Sequence, residues 1–304
     1  MTKIVQAHLA AAVAALSAGT AVVATRIVIG ETDPVSLVFY RYLISVACLS
    51  PVLPLLWPKH RLGAADYVQI AGLGVLFFVL FPWAFNASLR TIPAARGAVG
   101  LATIPIQTLL VAAAFGREAI TASKVAGILL AFLGILTAFG AAAFREGNAD
   151  YLAGDGLMLL GVLCAAIYSV FGRATLMRHG PLFVTGLAMA FAVAILLPVV
   201  ALGPGVAFPQ LSMQGWLAVA FLGTIAGAVQ FSLFMWALRW LPPTTTVLYL
   251  TLNPIAAMVL GIALLDETLT VELVAGMALV LAGIFVGSGV LTAWRAAENE
   301  PKTN

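Results

Sequence analysis

Charge is scarce in this sequence, and its scarcity excludes most protein classes at once. Only 9% of the 304 residues are charged, 62% are hydrophobic, and mean hydropathy is +1.09. A soluble globular chain carries roughly a quarter charged residues, because its surface must be hydrated. The 15 basic and 12 acidic residues here cannot coat a water-soluble particle of this size. They can cover the two ends of a bundle whose sides face lipid. Cysteine is equally sparse. Cys48 and Cys164 both fall inside apolar runs, where a thiol acts as a small packing residue. No CxxC or Cys/His cluster suggests a metal or redox site, and no cofactor or nucleic-acid partner is expected. An intramembrane enzyme would need a nucleophile with its base, or clustered ligands. Three scattered histidines argue against one. Nor does any Asp or Glu lie in the middle of an apolar run, which disfavours proton coupling through a buried carboxylate.

What is abundant is apolar length. A lipid-facing chain must satisfy its own backbone, so it is either a helical bundle or a closed barrel. Barrel strands alternate apolar and polar residues, whereas these runs are continuous and about twenty residues long, enough for a helix to cross hydrocarbon. The expectation is an all-α integral membrane protein with ten spans, at 5–29, 35–57, 66–89, 93–115, 122–144, 154–174, 181–202, 214–239, 243–265 and 271–294. The uncharged stretch 181–238 is too long for one helix, and Gly203-Pro204-Gly205 with Pro209 divides it. Only Lys3 precedes the first apolar run and no convincing cleavage site follows it, so the first helix is expected to be retained. An even number of spans puts both termini on one side. That side holds Lys3, Lys59, Arg61, Arg117, Lys124, Arg173, Arg178, Arg239, Arg295 and Lys302. The other holds Arg26, Arg90, Arg96 and Arg145, with Arg41 a little inside the second span. The positive-inside bias places both termini in the cytoplasm.

The sequence also matches itself. At an offset of 149, Leu89, Arg90 and Pro93 pair with Leu238, Arg239 and Pro242, Pro105 and Ile106 with Pro254 and Ile255, Glu118 and Thr121 with Glu267 and Thr270, and Gly127 and Gly134 with Gly276 and Gly283. Arg26 and Pro34 pair with Arg173 and Pro181 at 147. The chain therefore divides into residues 1–150 and 151–304, each of five helices, together one transport domain. An odd repeat makes the second copy enter the membrane upside down, which is a signature of secondary transporters.

The stretches PIQTLLVAAAFGREAIT (105–121) and PIAAMVLGIALLDETLT (254–270) resemble the repeated fingerprint of the EamA-type families, with a proline in mid-helix and a Glu-x-x-Thr corner before the last helix. On that likeness the chain is identified as a member of the drug/metabolite transporter superfamily over nearly its whole length. Within it, overall similarity is greatest to the YddG-type bacterial amino-acid exporters. The resemblance implies export of amino acids, aromatic ones included, across a bacterial inner membrane, with small-molecule substrate and bilayer as partners and a monomer sufficient. A multidrug or organic-cation exporter of the same fold is the rival reading. A buried carboxylate would have favoured it.

Candidate site residues follow from cost. Pro105 and Pro254 each remove a helical hydrogen bond and push away the carbonyl four residues earlier, Leu101 or Leu250. Such a carbonyl could accept from an ammonium group, or the kink could serve packing alone. Pro82 would free the carbonyl of Phe78 in the same way. Among polar groups within the spans, Asn86, Gln230 and Asn253 carry carboxamides and Tyr168 and Tyr249 carry hydroxyls, all suited to a zwitterion. Gln107 and Asn253 could instead only bridge helices. Trp83, Phe234 and Trp236 could stack on an aromatic substrate or simply pack. His8 and Arg41 are possible gate residues, although such an arginine more often snorkels. Glu118 and Glu267 precede threonines that suit a helix N-cap, so a corner role is expected for both.

Overall fold

The computed structural model describes residues 3–28, 30–58, 62–144, 151–202, 211–265 and 270–289, and every regular element among them is helical. The Gly203–Pro209 break, Glu267 and the chain after Gly289 lie outside the described residues. The first half comprises α1 (Lys3–Val28), α2 (Pro34–Leu49), α3 (Ala64–Gly74), a π-helical turn (Val75–Leu80), α4 (Phe81–Ser88), α5 (Ala94–Leu101), α6 (Ile104–Ala114) and α7 (Ala122–Ala143). The second comprises α8 (Tyr151–His179), α9 (Pro181–Leu202), α10 (Met213–Gly223), a second π turn (Thr224–Val229), α11 (Gln230–Trp240), α12 (Pro243–Leu248), a 3-10 turn (Tyr249–Thr251), α13 (Leu252–Leu265) and α14 (Val271–Ser288). Among the described residues eight helical stretches are long and apolar enough to cross a bilayer, and α2 is a shorter apolar helix. The second span is shorter than expected. Ser50 closes α2 on the carbonyl of Val46, and Pro51 and Pro54 then lack the N–H groups that would carry it further.

The offset seen in the sequence recurs in the backbone. Helix α3 and its π turn begin 149 residues before α10 and its π turn, as α5 begins before α12 and α7 before α14. Packing is reciprocal as well. Helix α1 lies against α10, α11 and α13 of the second half, while α8 lies against α4, α5 and α6 of the first. The equivalent helices α7 and α14 face one another and run antiparallel. Gly127 abuts Gly287 and Gly283, and Gly134 abuts Gly276 and Val280. Lipid tails are as apolar as leucine, so helices in a membrane gain most from close backbone approach at small residues.

Polar contacts tie the two ends. At one end Asp66 caps its own helix by accepting from Gly63 N (2.9 Å), and pairs with His179 and Arg178 at the end of α8, both at 3.2 Å. Glu118 accepts from Lys124 Nζ (2.7 Å) and from the backbone N–H of Thr244 (2.9 Å), joining the start of α7 to the start of α12. That is a corner role. Thr121 caps α7 through Lys124 N at 3.4 Å. Lys3 lies over the ring of Trp240, and Arg173 donates to the carbonyls of Leu238 and Leu241, which brings the start of α1 and the ends of α8 and α11 to this same end. At the opposite end Glu31 accepts from the N–H and hydroxyl of Ser212 (2.7 and 2.8 Å), fastening the chain after α1 to the start of α10. There Arg96 of α5 also grips Asp155 of α8, its Nε at 2.8 and 3.1 Å from the two oxygens.

The α7–α14 seam yields a direct expectation. A Cβ on Gly134 would stand 2.6 Å from Gly276 O and 2.8 Å from Val280, whereas one on Gly72 meets nothing within 4 Å. Gly134→Val should cost about 1–3 kcal/mol by overpacking and lower the melting temperature of the purified protein in detergent. Gly72→Ala should not lower it.

Candidate functional site

In each half one helical stretch leaves α geometry, over Val75–Leu80 and over Thr224–Val229. A π turn inserts one residue and shifts the carbonyl ladder, and such turns are frequent at functional sites. In the first half Pro82 follows directly, at the head of α4. The second half has Phe231 at the equivalent position, so the turn is not a proline effect alone. Helix α2 locks onto the second π turn. Ser45 Oγ stands 2.7 Å from Gly223 O and 2.9 Å from Arg41 O, and Arg41 Nη2 donates to Ala226 O. The guanidinium carbon of Arg41 is 5.5 Å from the ring centre of Phe231 and 5.9 Å from that of Tyr42. Arg41 therefore does not simply snorkel. It reaches across to a neighbouring helix, its Nε is buried with no hydrogen-bond partner, and no carboxylate pairs with it among the described residues.

Beside this lies an aromatic layer contributed by four parts of the chain. Phe77 is its hub, stacked on Tyr168 at 4.5 Å and nearly parallel to Phe234 at 6.3 Å, with Phe231 edge-on at 5.7 Å. Phe78 contacts Tyr42 and Phe231, both at 5.2 Å. Tyr168 is fully buried and donates from its hydroxyl to Met235 Sδ at 3.2 Å. Gln230, one helical turn before Phe234, is 6% exposed, and its Oε1 has no partner. Of the residues expected from sequence, Tyr168 and Phe234 are thus joined through Phe77, with Gln230 beside Phe231 on α11. Sequence reading missed Phe77, Phe78, Phe231 and Tyr42. Nothing in an unbroken apolar run distinguishes a core ring from a lipid-facing one.

The proline breaks form a second group. Helix α5 stops at Leu101 and α6 starts at Ile104, just before Pro105. In the second half a 3-10 turn fills the same place before Pro254. Tyr249, in that turn, meets His8 of α1 with its hydroxyl 3.0 Å from Nδ1. One turn later Asn253 Oδ1 is buried without a partner. Helix α1 packs on both α11 and the 3-10 turn, and so connects the two groups. Gln107 reaches Leu159 O of α8 at a long 3.5 Å. Asn86 is partly buried and makes no side-chain hydrogen bond among the described residues, while Trp83, one turn earlier, is 49% exposed. These two are not brought into the aromatic layer.

Comparison with known proteins gives a consistent identity. The profile of the EamA-like transporter family matches residues 5–140 and 152–288. An uncharacterized transporter of Archaeoglobus fulgidus is 27% identical over 274 residues, covering 88% of this chain and 93% of the relative. The uncharacterized inner membrane transporter YedA of Escherichia coli is 28% identical over 205 residues, covering 67% of this chain and 65% of that protein. A crystal structure superposes with a TM-score of 0.78 at 22% identity, over 95% of this chain and 98% of that one.

The unpartnered Gln230 carboxamide has a measurable consequence. A buried acceptor left unsatisfied costs about 1–3 kcal/mol, so an apolar residue of similar size removes a penalty. Gln230→Leu should melt at the same temperature as the native protein or higher, by fluorescence-detected thermal unfolding.

Proposed function

The chain belongs to the EamA-like transporter family, and on that premise we propose that it exports neutral amino acids, aromatic ones among them, and related small metabolites by alternating access. The observation that carries this reading is the set of unmet hydrogen-bonding groups within the membrane. Gln230 Oε1 and Asn253 Oδ1 are buried acceptors and Arg41 Nε is a buried donor, each without a partner. Acceptors suit an ammonium group and a guanidinium suits a carboxylate, while the stacked rings of Phe77, Tyr168 and Phe234 offer an aromatic side chain a platform. The antiparallel packing of α7 on its equivalent α14 supports two inverted halves, since a two-fold axis relating antiparallel helices must be perpendicular to them. Ten spans follow if α2 and the broken stretch 243–265 join the eight longer ones. Lys3, Lys124, Arg173, Arg178 and Arg239 gather at one end, which supports cytoplasmic termini by the positive-inside bias.

In this reading Arg96–Asp155 closes one mouth, between α5 and α8, and His8–Tyr249 closes the other, between α1 and the 3-10 turn. His8 stands at the repeat position of Asp155, while Tyr249 lies one turn beyond that of Arg96, so the two contacts differ in chemistry. Rings also attract cations, and an organic-cation exporter is the alternative that the test must separate.

Counterflow of labelled phenylalanine into liposomes preloaded with unlabelled substrate, at equal pH on both sides, should be robust. Gln230→Leu should weaken apparent affinity roughly threefold to tenfold, the loss of one hydrogen bond. Counterflow of an organic cation with none of any amino acid would reject the proposal. Pro105→Ala and Pro254→Ala should insert normally and lower the initial rate. Unchanged rates in both would assign these prolines to packing.

A further inference from the structure

A cleft of about 190 Å³ lies away from the aromatic layer, where the α6–α7 corner, the second half of α8 and the start of α12 meet. Arg117, Arg173, Val170, Ala174, Met177 and Pro243 line it. Two arginines from different elements therefore face one small, otherwise apolar space.

Their charges are not spent on each other's neighbours. Glu118 beside Arg117 is already committed to Lys124 and the N–H of Thr244, and Asp66 to Arg178 and His179. Neither Arg117 nor Arg173 meets a carboxylate among the described residues. Arg173 uses its Nε on the carbonyls of Leu238 and Leu241, which fixes the side chain. Arg117 lies with its guanidinium carbon 4.7 Å from the ring centre of Phe171, a stacking contact that orients the planar group without consuming its N–H donors. Gly116, at φ +63°, makes the sharp turn out of α6 that presents Arg117 here.

Position selects the ligand. Arg173 is six residues before the end of α8 at His179, roughly 9 Å along the helix at 1.5 Å per residue, and Arg117 is in the loop after α6. Both belong to the end where the basic residues gather, at the depth of the bilayer interface. Phe115 and Met177 beside them are 63% and 52% exposed, an apolar flank suited to acyl chain rather than water. Basic pockets between spanning helices at this level recognise lipid phosphates, and a guanidinium pair offers forked donors to a phosphodiester.

We propose that this cleft binds the phosphate headgroup of an anionic glycerophospholipid, with its chains along Phe115 and Met177. The site is separate from the transport pathway and stands whether or not amino acids are the substrate. Native mass spectrometry of the full chain in mild detergent tests it, with phosphatidylglycerol competing against phosphatidylcholine. The native protein should retain phosphatidylglycerol preferentially. Arg117→Gln, which removes no hydrogen bond holding the fold, should weaken that retention about fivefold. Arg117→Gln/Arg173→Gln should abolish the preference. Equal retention of the two lipids by the native protein would overturn the proposal, as would native-like retention by Arg117→Gln. Displacement of the lipid by inorganic phosphate would overturn it in favour of a soluble-anion site.

Discussion

A backbone carbonyl released inside hydrocarbon has no water to turn to, so each interruption of a helix must find its donors within the protein. That requirement organises the centre of this bundle. Among the described residues, π turns after α3 and α10 and proline breaks at α5/α6 and α12/α13 disturb the carbonyl ladders. Around the second π turn the donors are found on α2, where Ser45 meets Gly223 O and Arg41 meets Ala226 O. Beside the breaks, hydroxyls bond carbonyls three residues back, Thr103 Oγ1 to Gly100 O and Thr251 Oγ1 to Leu248 O. Irregular backbone and polar side chains therefore occur together, and the unmet groups of Gln230, Asn253 and Arg41 lie among them.

The remaining contacts sort by stiffness. The α7–α14 seam is made of glycines pressed backbone to backbone, and packed interfaces of that kind deform little. The end contacts are polar: Arg96 with Asp155, Asp66 with His179, Glu31 with Ser212. Individual polar contacts of this sort are worth about 0.5–3 kcal/mol each. That is small enough for such contacts to be exchanged during the proposed transport cycle. A stiff frame with weakly latched ends is what the proposed alternating access requires.

Much of this was legible in the chain. Sparse charge and continuous apolar runs give the class, because the bilayer permits few alternatives. The offset of 149 foretold which helices would start at equivalent places, and the prolines located the breaks in α5/α6 and α12/α13, because proline acts locally whatever surrounds it. The rest depends on contacts between distant residues. Arg41 and Ala226 are 185 residues apart, and His8 and Tyr249 are 241 apart. No local pattern announces either pair. The π turn in the second half has no proline to mark it, and Phe77 looks like any phenylalanine in an apolar run until Tyr168 is found stacked upon it. Trp83 and Asn86 looked as apt as Gln230, yet they share the face of α4 that stays outside the aromatic layer.

The exchange of first helices between halves bears on how the protein is made. Helix α1 leaves the ribosome long before its packing partners α10, α11 and α13, which are synthesised only after the intervening helices. In the interval it must reside in the bilayer or at the insertion machinery with its inward face uncovered. That face is built largely of alanine, at positions 7, 11, 14 and 15 among others, with His8 as its buried polar group. A surface so short and smooth offers passing helices little to grip, so α1 can wait without capturing the wrong partner. Helix α8 faces no such delay, since α4, α5 and α6 precede it. The order of synthesis is thus directional although the finished packing is reciprocal, and the second half has to close around a helix made well before it.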